Sequence, residues 1–328
     1  MNKKRTLLIS ALSITALCIA AFIGTGSTNI SKEAEQSKYS GAAVTASPEV
    51  PLTLSFAGKN IEFDRFDMYE RLDRELSSIT YLHSTTLLCF KRANRIFPII
   101  VPILKQNGIP EDFKYLMVIE SNLSERAVSS AKAVGLWQFI ESTGKMYGLE
   151  INDDVDERYH IEKSTVAACK YLKDAYAKYN DWVAVALSYN AGMGRISSEL
   201  DKQQVSSSLD LLLVEETSRY FFRIIACKEV MENPQRYGYS LKAHQLYKPI
   251  DCKEITINSG IPDWISFALE NGITYSQLKT FNIWLRGTTL TNKSGKLYKI
   301  KIPLKEDMYY KRGEKPVVFD SRWVNEGR

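Results

Sequence analysis

The chain has 328 residues, a formal net charge of +5, 45% hydrophobic and 25% charged residues, so it can bury a substantial core in one or two domains plus tails. The positive charge is spread along the chain and offers no concentrated nucleic-acid footprint. His83, His160 and His244 form no HExxH pair, and Cys89, Cys169, Cys227 and Cys252 are scattered without a CxxC, which argues against a metalloenzyme or a redox motif and leaves no cofactor implied.

Residues 1–26 begin with Lys3, Lys4 and Arg5, continue through an apolar run from Leu7 to Ile23, and end in small residues at Gly24, Thr25 and Gly26. This is the layout of a signal peptide or an uncleaved N-terminal anchor, and either one exports the body to the periplasm or cell envelope, with membrane attachment in the second case. Leu17 stands before Cys18 where a lipoprotein signal needs a small residue, which argues against lipidation. Residues 27–51 are rich in Ser, Ala, Lys and Glu, lack periodicity, and carry Pro48 and Pro51, so they read as a flexible linker.

A helical domain is expected over residues 52–245, with its core at 81–237. Leu52 to Phe63 alternates enough for a short strand pair turning around Gly58-Lys59-Asn60, and Asp67 to Leu76 is helical. Ser84 to Gln106 predicts a long helix with a break near Pro98 and Pro102. Asn107-Gly108-Ile109-Pro110 is a stop-and-restart signal with Pro at the first position of the next helix. On that helix Phe113, Leu116, Met117 and Glu120 occupy i, i+3, i+4 and i+7, so a carboxylate shares the apolar face. Further helices are expected from Ser164, as N-cap, to Tyr179, from Trp182 to Tyr189, and from Glu215 to Glu232 before Pro234. Cys169 falls among helical apolar residues and reads as a buried thiol.

From 252 to 305 the character changes. Glu254 to Ile257 alternates like a strand, Pro262 to Glu270 and Tyr275 to Phe281 are short helices split by Asn271-Gly272, and Leu297 to Ile302 alternates again, a βααβ module followed by a tail at 306–328.

Three clusters lie in the helical domain: Ile119-Glu120-Ser121, Gly135-Leu136-Trp137-Gln138-Phe139, and Ser188-Tyr189-Asn190-Ala191-Gly192. A carboxyl near the carbonyl pole of a helix and beside Met117 and Phe113 has its charged form disfavoured by desolvation and by the dipole. It stays protonated near neutral pH, as a general acid for a glycosidic oxygen must.

Together, through the runs ESNLSERAVSSAKAVGLWQFIESTGKMYGL, DVDERYHIEKSTVAACKYLKDAY and DWVAVALSYNAGMGRI, the region from Pro110 to Met231 resembles the soluble lytic transglycosylase family, whose fold is like goose-type lysozyme. The resemblance implies a mainly α protein with a lysozyme-like helical catalytic domain that cleaves the β-1,4 bond between N-acetylmuramic acid and N-acetylglucosamine in peptidoglycan glycan strands during cell wall turnover, leaving 1,6-anhydromuramoyl ends. It carries the family's catalytic glutamate onto Glu120, followed by Ser121. It carries the serine nine residues downstream onto Ser129, the glutamine of Gly-Leu-x-Gln onto Gln138, and Tyr-Asn-Ala-Gly onto Tyr189, Asn190, Ala191 and Gly192. In those terms Glu120 is the single acid/base, Tyr189 lies near it and positions it or the N-acetyl group, and Ser121, Ser129, Gln138 and Asn190 serve the substrate, while Trp137 packs in the core. Where many members have Pro after the Glu-Ser stretch, this chain has Glu125-Arg126, which alters the loop rather than the chemistry. The other acids considered, Glu141, Asp153, Asp154, Asp156 and Glu162, read as caps and solvated charges. The module at 252–305 resembles a LysM domain, a binder of N-acetylglucosamine polymers. Its aromatics Trp264, Tyr275, Phe281 and Trp284 suit either a sugar face or a small core. A hydrolytic lysozyme of the same fold and a non-catalytic peptidoglycan-binding protein remain as alternatives. Oligomeric state leaves no signature in the sequence.

Overall fold

The first strand pair forms as β1 (Thr53–Phe56) and β2 (Lys59–Glu62), antiparallel with Phe56 opposite Lys59. Its turn is Ala57-Gly58, one residue earlier than the Gly58-Lys59-Asn60 pattern suggests. Both residues have positive φ, 50° and 79°, the geometry that matches strand twist in a two-residue hairpin, and the Ala57 N–H donates to Asp112 Oδ2 at 2.8 Å. The computed structural model describes residues 45–327. The signal or anchor segment and most of the linker lie outside them. No helix among the described residues is long and apolar enough to cross a membrane.

The helical body follows: α1 (Phe66–Tyr81), α2 (His83–Gln106), α3 (Phe113–Ser121), α4 (Glu141–Met146), α5 (Ile161–Tyr179), α6 (Trp182–Ala191), α7 (Met193–Gln203) and α8 (Glu215–Glu232). Short α3 lies between α2 and α8, while α1 packs along α8 and α6 contacts α5, α7 and α8. Phe90, Phe97, Phe113, Leu116, Met117, Leu172, Phe221 and Ile225 are fully buried in one core.

Three helix expectations need correction. Helix α2 runs unbroken through Pro98 and Pro102. Each interior proline costs roughly 3 kcal/mol, and burial of Ile96, Phe97, Ile100 and Leu104 on both sides of them offsets that cost. Helix α5 starts three residues before Ser164, whose hydroxyl donates back to the Ile161 carbonyl at 3.2 Å instead of capping. Pro110 likewise precedes α3 in a separate turn, its carbonyl accepting from the Phe113 N–H at 3.1 Å.

The C-terminal module is β3 (Cys252–Ile257), α9 (Trp264–Glu270), α10 (Tyr275–Phe281) and β4 (Tyr298–Pro303), with β3 and β4 antiparallel from Cys252 opposite Pro303 to Ile257 opposite Tyr298. Trp264 and Trp284 are buried in its core, so neither offers a sugar-stacking face. Val134, Val155 and Tyr159 of the helical body belong to that same core. The module also grips residues 150–162. Asp156 N–H donates to the Trp284 carbonyl at 2.9 Å, Arg286 N–H to the Asp154 carbonyl at 2.8 Å, and Thr291 N–H to Asp154 Oδ2 at 2.7 Å. Lys296 pairs with Glu150 and Glu157, and Lys301 with Glu162. The tail then returns to the helical body, where buried Trp323 donates its indole N–H to the Met231 carbonyl at 2.8 Å.

Candidate active site

Glu120 occupies the last turn of α3, which ends because Asn122 and Leu123 both adopt left-handed φ, 49° and 55°. Phe113, Leu116 and Met117 on the same face are buried, so the carboxyl leaves the core only at the helix end. Its Oε1 accepts a short hydrogen bond from the Tyr220 hydroxyl on α8. Burial pushes the Glu120 carboxyl up to about 7, against the pull of the Tyr220 hydroxyl and of nearby Arg223, with Glu216 adding to the rise. Arg223 donates to the Ile119 carbonyl at 3.3 Å, which ties α8 to the turn carrying Glu120.

Opposite Glu120 stands a wall made by residues 127–140. Gly135 has φ +77°, donates to the Ala127 carbonyl at 3.0 Å, and would place a Cβ 2.2 Å from the Arg158 carbonyl oxygen, so only glycine fits there. Gln138, at φ 50°, spends its amide nitrogen on the carbonyls of Gly135 (2.8 Å) and Ala127 (3.3 Å). Ser129 Oγ accepts from the Ala133 N–H at 3.0 Å, closing a turn. Behind the wall, buried Arg158 forms a two-pronged pair with Asp156 (2.9 and 2.7 Å) and donates to the Lys132 and Phe139 carbonyls, each at 3.2 Å.

The remaining side comes from the end of α6. The Tyr189 hydroxyl donates to the Trp137 carbonyl at 2.8 Å, and its ring packs against Tyr171, Phe139 and Trp137. Burial, and then the Glu120 charge, hold the Tyr189 and Tyr220 phenols well above their ordinary range. Asn190 accepts from Thr217 Oγ1 at 2.7 Å and donates to Glu216 at 3.3 Å, joining α6 to α8.

These three walls enclose a cleft of about 620 Å³. Glu120, Ser129, Gln138, Tyr189 and Asn190 all line it. Ser121 does not: it is buried, and its hydroxyl donates to the Met117 carbonyl at 3.2 Å. Trp137 lies in the core, its indole N–H on Thr165 Oγ1 at 2.9 Å. None of Glu141, Asp153, Asp154, Asp156 and Glu162 lines the cleft, but Glu216 does, at the start of α8. Glu216, Tyr220 and Arg223 belong to none of the three sequence clusters, although their i, i+4, i+7 spacing puts all three on one face of an expected helix.

Changing Tyr220 to Phe removes a hydrogen bond that favours the charged form of Glu120. The alkaline limb of the pH–rate profile is expected to move to higher pH, with a loss of about tenfold in kcat at neutral pH from poorer positioning. A limb that stays in place or moves to lower pH would contradict this role for Tyr220.

Residues 98–210 match the family description "Transglycosylase SLT domain", and residues 253–306 match "Soluble lytic transglycosylase C-terminal LysM-like domain". The first match contains Glu120, the wall and the Tyr189 end of α6, but stops short of Glu216 and Tyr220. Membrane-bound lytic murein transglycosylase D of Escherichia coli K12 is 30% identical over 241 residues, covering 72% of this chain and 51% of that protein. The peptidoglycan transglycosylase of Escherichia phage T7 is 30% identical over 120 residues, 36% of this chain and 9% of that protein. The chain thus spans about half the length of its E. coli relative. Its two matched regions, in the order helical body and then βααβ module, place it in the soluble lytic transglycosylase family.

Proposed function

We propose that this protein is a lytic transglycosylase of the cell envelope that cleaves peptidoglycan glycan strands between N-acetylmuramic acid and N-acetylglucosamine, with Glu120 as its acid and base. The observation that carries the reading is Glu120 itself, a carboxyl raised to about 7 by burial at the edge of a cleft wide enough for sugar rings. Protonated Glu120 gives its proton to the glycosidic oxygen as that bond breaks. The resulting carboxylate takes the proton of the muramoyl C6 hydroxyl, O6 closes onto C1, and a 1,6-anhydro ring forms without consuming water. Developing positive charge at C1 is met by the substrate's own N-acetyl oxygen. Gln138 keeps its amide oxygen and Ser129 its hydroxyl hydrogen for the sugars, Asn190 lines the cleft while its amide joins α6 to α8, and Tyr189 forms the packed side.

Glu216 supports a second reading. A further carboxylate in the cleft is what a hydrolase needs to activate water. Mass spectrometry of muropeptides released from purified sacculi separates the two. Products ending in 1,6-anhydromuramic acid are expected; reducing ends would make the protein a lysozyme, and binding without any product would make it a peptidoglycan-binding protein.

A further inference from the structure

A second concavity, of about 220 Å³, lies outside the cleft and carries an unusual charge. Arg92 and Arg95 of α2 line it together with Arg126 from the loop after Glu120. Each guanidinium is fixed by a backbone carbonyl: Arg92 on Asn122 at 2.9 Å, Arg95 on Lys248 at 3.0 Å, and Arg126 on Lys279 at 3.4 Å. Arg95 also lies over the Tyr247 ring, 5.4 Å from its centroid. None of the three forms an ion pair among the described residues, although Arg92 and Arg95 are only partly exposed. A guanidinium held by one N–H keeps several others for a ligand, and its planar fork matches a carboxylate. Glu125 is the one acid on the groove wall; burial pushes its carboxyl up while the charges of Arg95, Arg126, Lys301 and Arg92 pull it down, so the groove sets three cations against one acid.

The groove and the cleft share one strip of chain. Leu123 to Arg126 line the groove, Ala127 holds the Gln138 amide by its carbonyl, and Ser129 lines the cleft. Arg126 and Ser129 are three residues apart, at most about 11 Å even with the chain fully extended, a span that a peptide branch of three or four residues on a polymer in the cleft can cover. Peptidoglycan carries such branches, since its muramic acid residues bear peptide stems with free carboxylates.

We propose that the Arg92–Arg95–Arg126 groove is a subsite for a stem-peptide carboxylate, so that the protein binds stem-bearing glycan in preference to bare glycan. This rests on peptidoglycan being the substrate but not on the chemistry at Glu120. The test uses binding rather than cleavage. Soluble glycan strands are prepared intact and after an amidase has removed their stems, and the affinity of the Glu120→Gln protein for each is measured by fluorescence anisotropy. Intact strands are expected to bind roughly tenfold tighter, as one charge-assisted contact would give. Arg92→Gln and Arg126→Gln together should abolish that ratio, leave the affinity for stripped strands unchanged, and leave the melting temperature within a few degrees. Raised salt should shrink the ratio in the parent and not in the double variant. Equal affinity of the parent for both strands, or a ratio that survives the double substitution, overturns the proposal. If the ratio behaves as expected while active protein releases no anhydro product, the transglycosylase reading fails and the subsite stands.

Discussion

Glu120→Gln is expected to abolish glycan cleavage while making the fold more stable at alkaline pH. Loss of the proposed acid/base is expected to lower kcat by about a thousandfold or more, because positioned general acid–base catalysis commonly supplies that much. The stability effect follows from the raised carboxyl. The folded group titrates at about 7 against an ordinary value of 4.5, so its neutral form is the one the fold favours. Its contribution is fully present below pH 4.5 and is lost as pH rises through 7. At pH 8 the parent carries a buried charge costing about 3 kcal/mol, which the amide does not carry. Melting curves of the two proteins should nearly coincide at pH 4 and separate at pH 8, with the variant higher. Curves that stay parallel across this range would mean that Glu120 is ionised at no cost and is poorly suited to donate a proton at neutral pH.

Arg158→Met is expected to lower both stability and activity by large amounts, although Arg158 does not line the cleft. The substitution leaves buried Asp156 without its two-pronged partner and strips donors from the Lys132 and Phe139 carbonyls. Breaking one side of a buried pair costs roughly 3–5 kcal/mol, which for a chain of this size lowers the melting temperature by about 10 °C. The same carbonyls anchor the wall that carries Ser129 and Gln138, so kcat/KM should fall roughly a hundredfold even at temperatures where the variant is folded. Adding Asp156→Leu removes the orphaned charge and should restore much of the stability without restoring activity. If activity recovers together with stability, Arg158 has no separate role in shaping the wall.

Legibility in the sequence followed the physics of each feature. Helix α8 and the βααβ order could be read because periodicity and breakers agree there: Asn271-Gly272 separates two helices, and Pro234 marks the end of α8. Glu120 stood out because an acid on a run of Phe113, Leu116 and Met117 is chemically conspicuous. Tyr220 did not stand out, because an aromatic on an amphipathic helix ordinarily reads as core, and only the packing of α8 on α3 reveals that its hydroxyl meets Glu120. The prolines of α2 misled for a related reason: local propensity opposes a helix there, and tertiary burial of Phe97 and Ile100 overrides it. Ser121 misled in the other direction. Adjacent to Glu120 in the chain, it is rotated about 100° around the helix, and so points into the body. Glu216 lay outside the motifs altogether, close in space but 96 positions from Glu120.

Val134, the residue before the wall glycine, is packed into the same apolar core as Ile300 of β4 and Trp264 of α9. The βααβ module therefore cannot come away from the helical body as a pendant domain would, because its departure exposes Val134, Val155 and Tyr159 to water and frees the 150–162 segment on which Arg158 sits. In opening terms the two matched regions are expected to behave as one foldon, with backbone amides of the wall and of β4 exchanging through a common open state whose free energy both regions set. The boundary between the two family matches is thus a boundary in sequence that the folded chain does not respect.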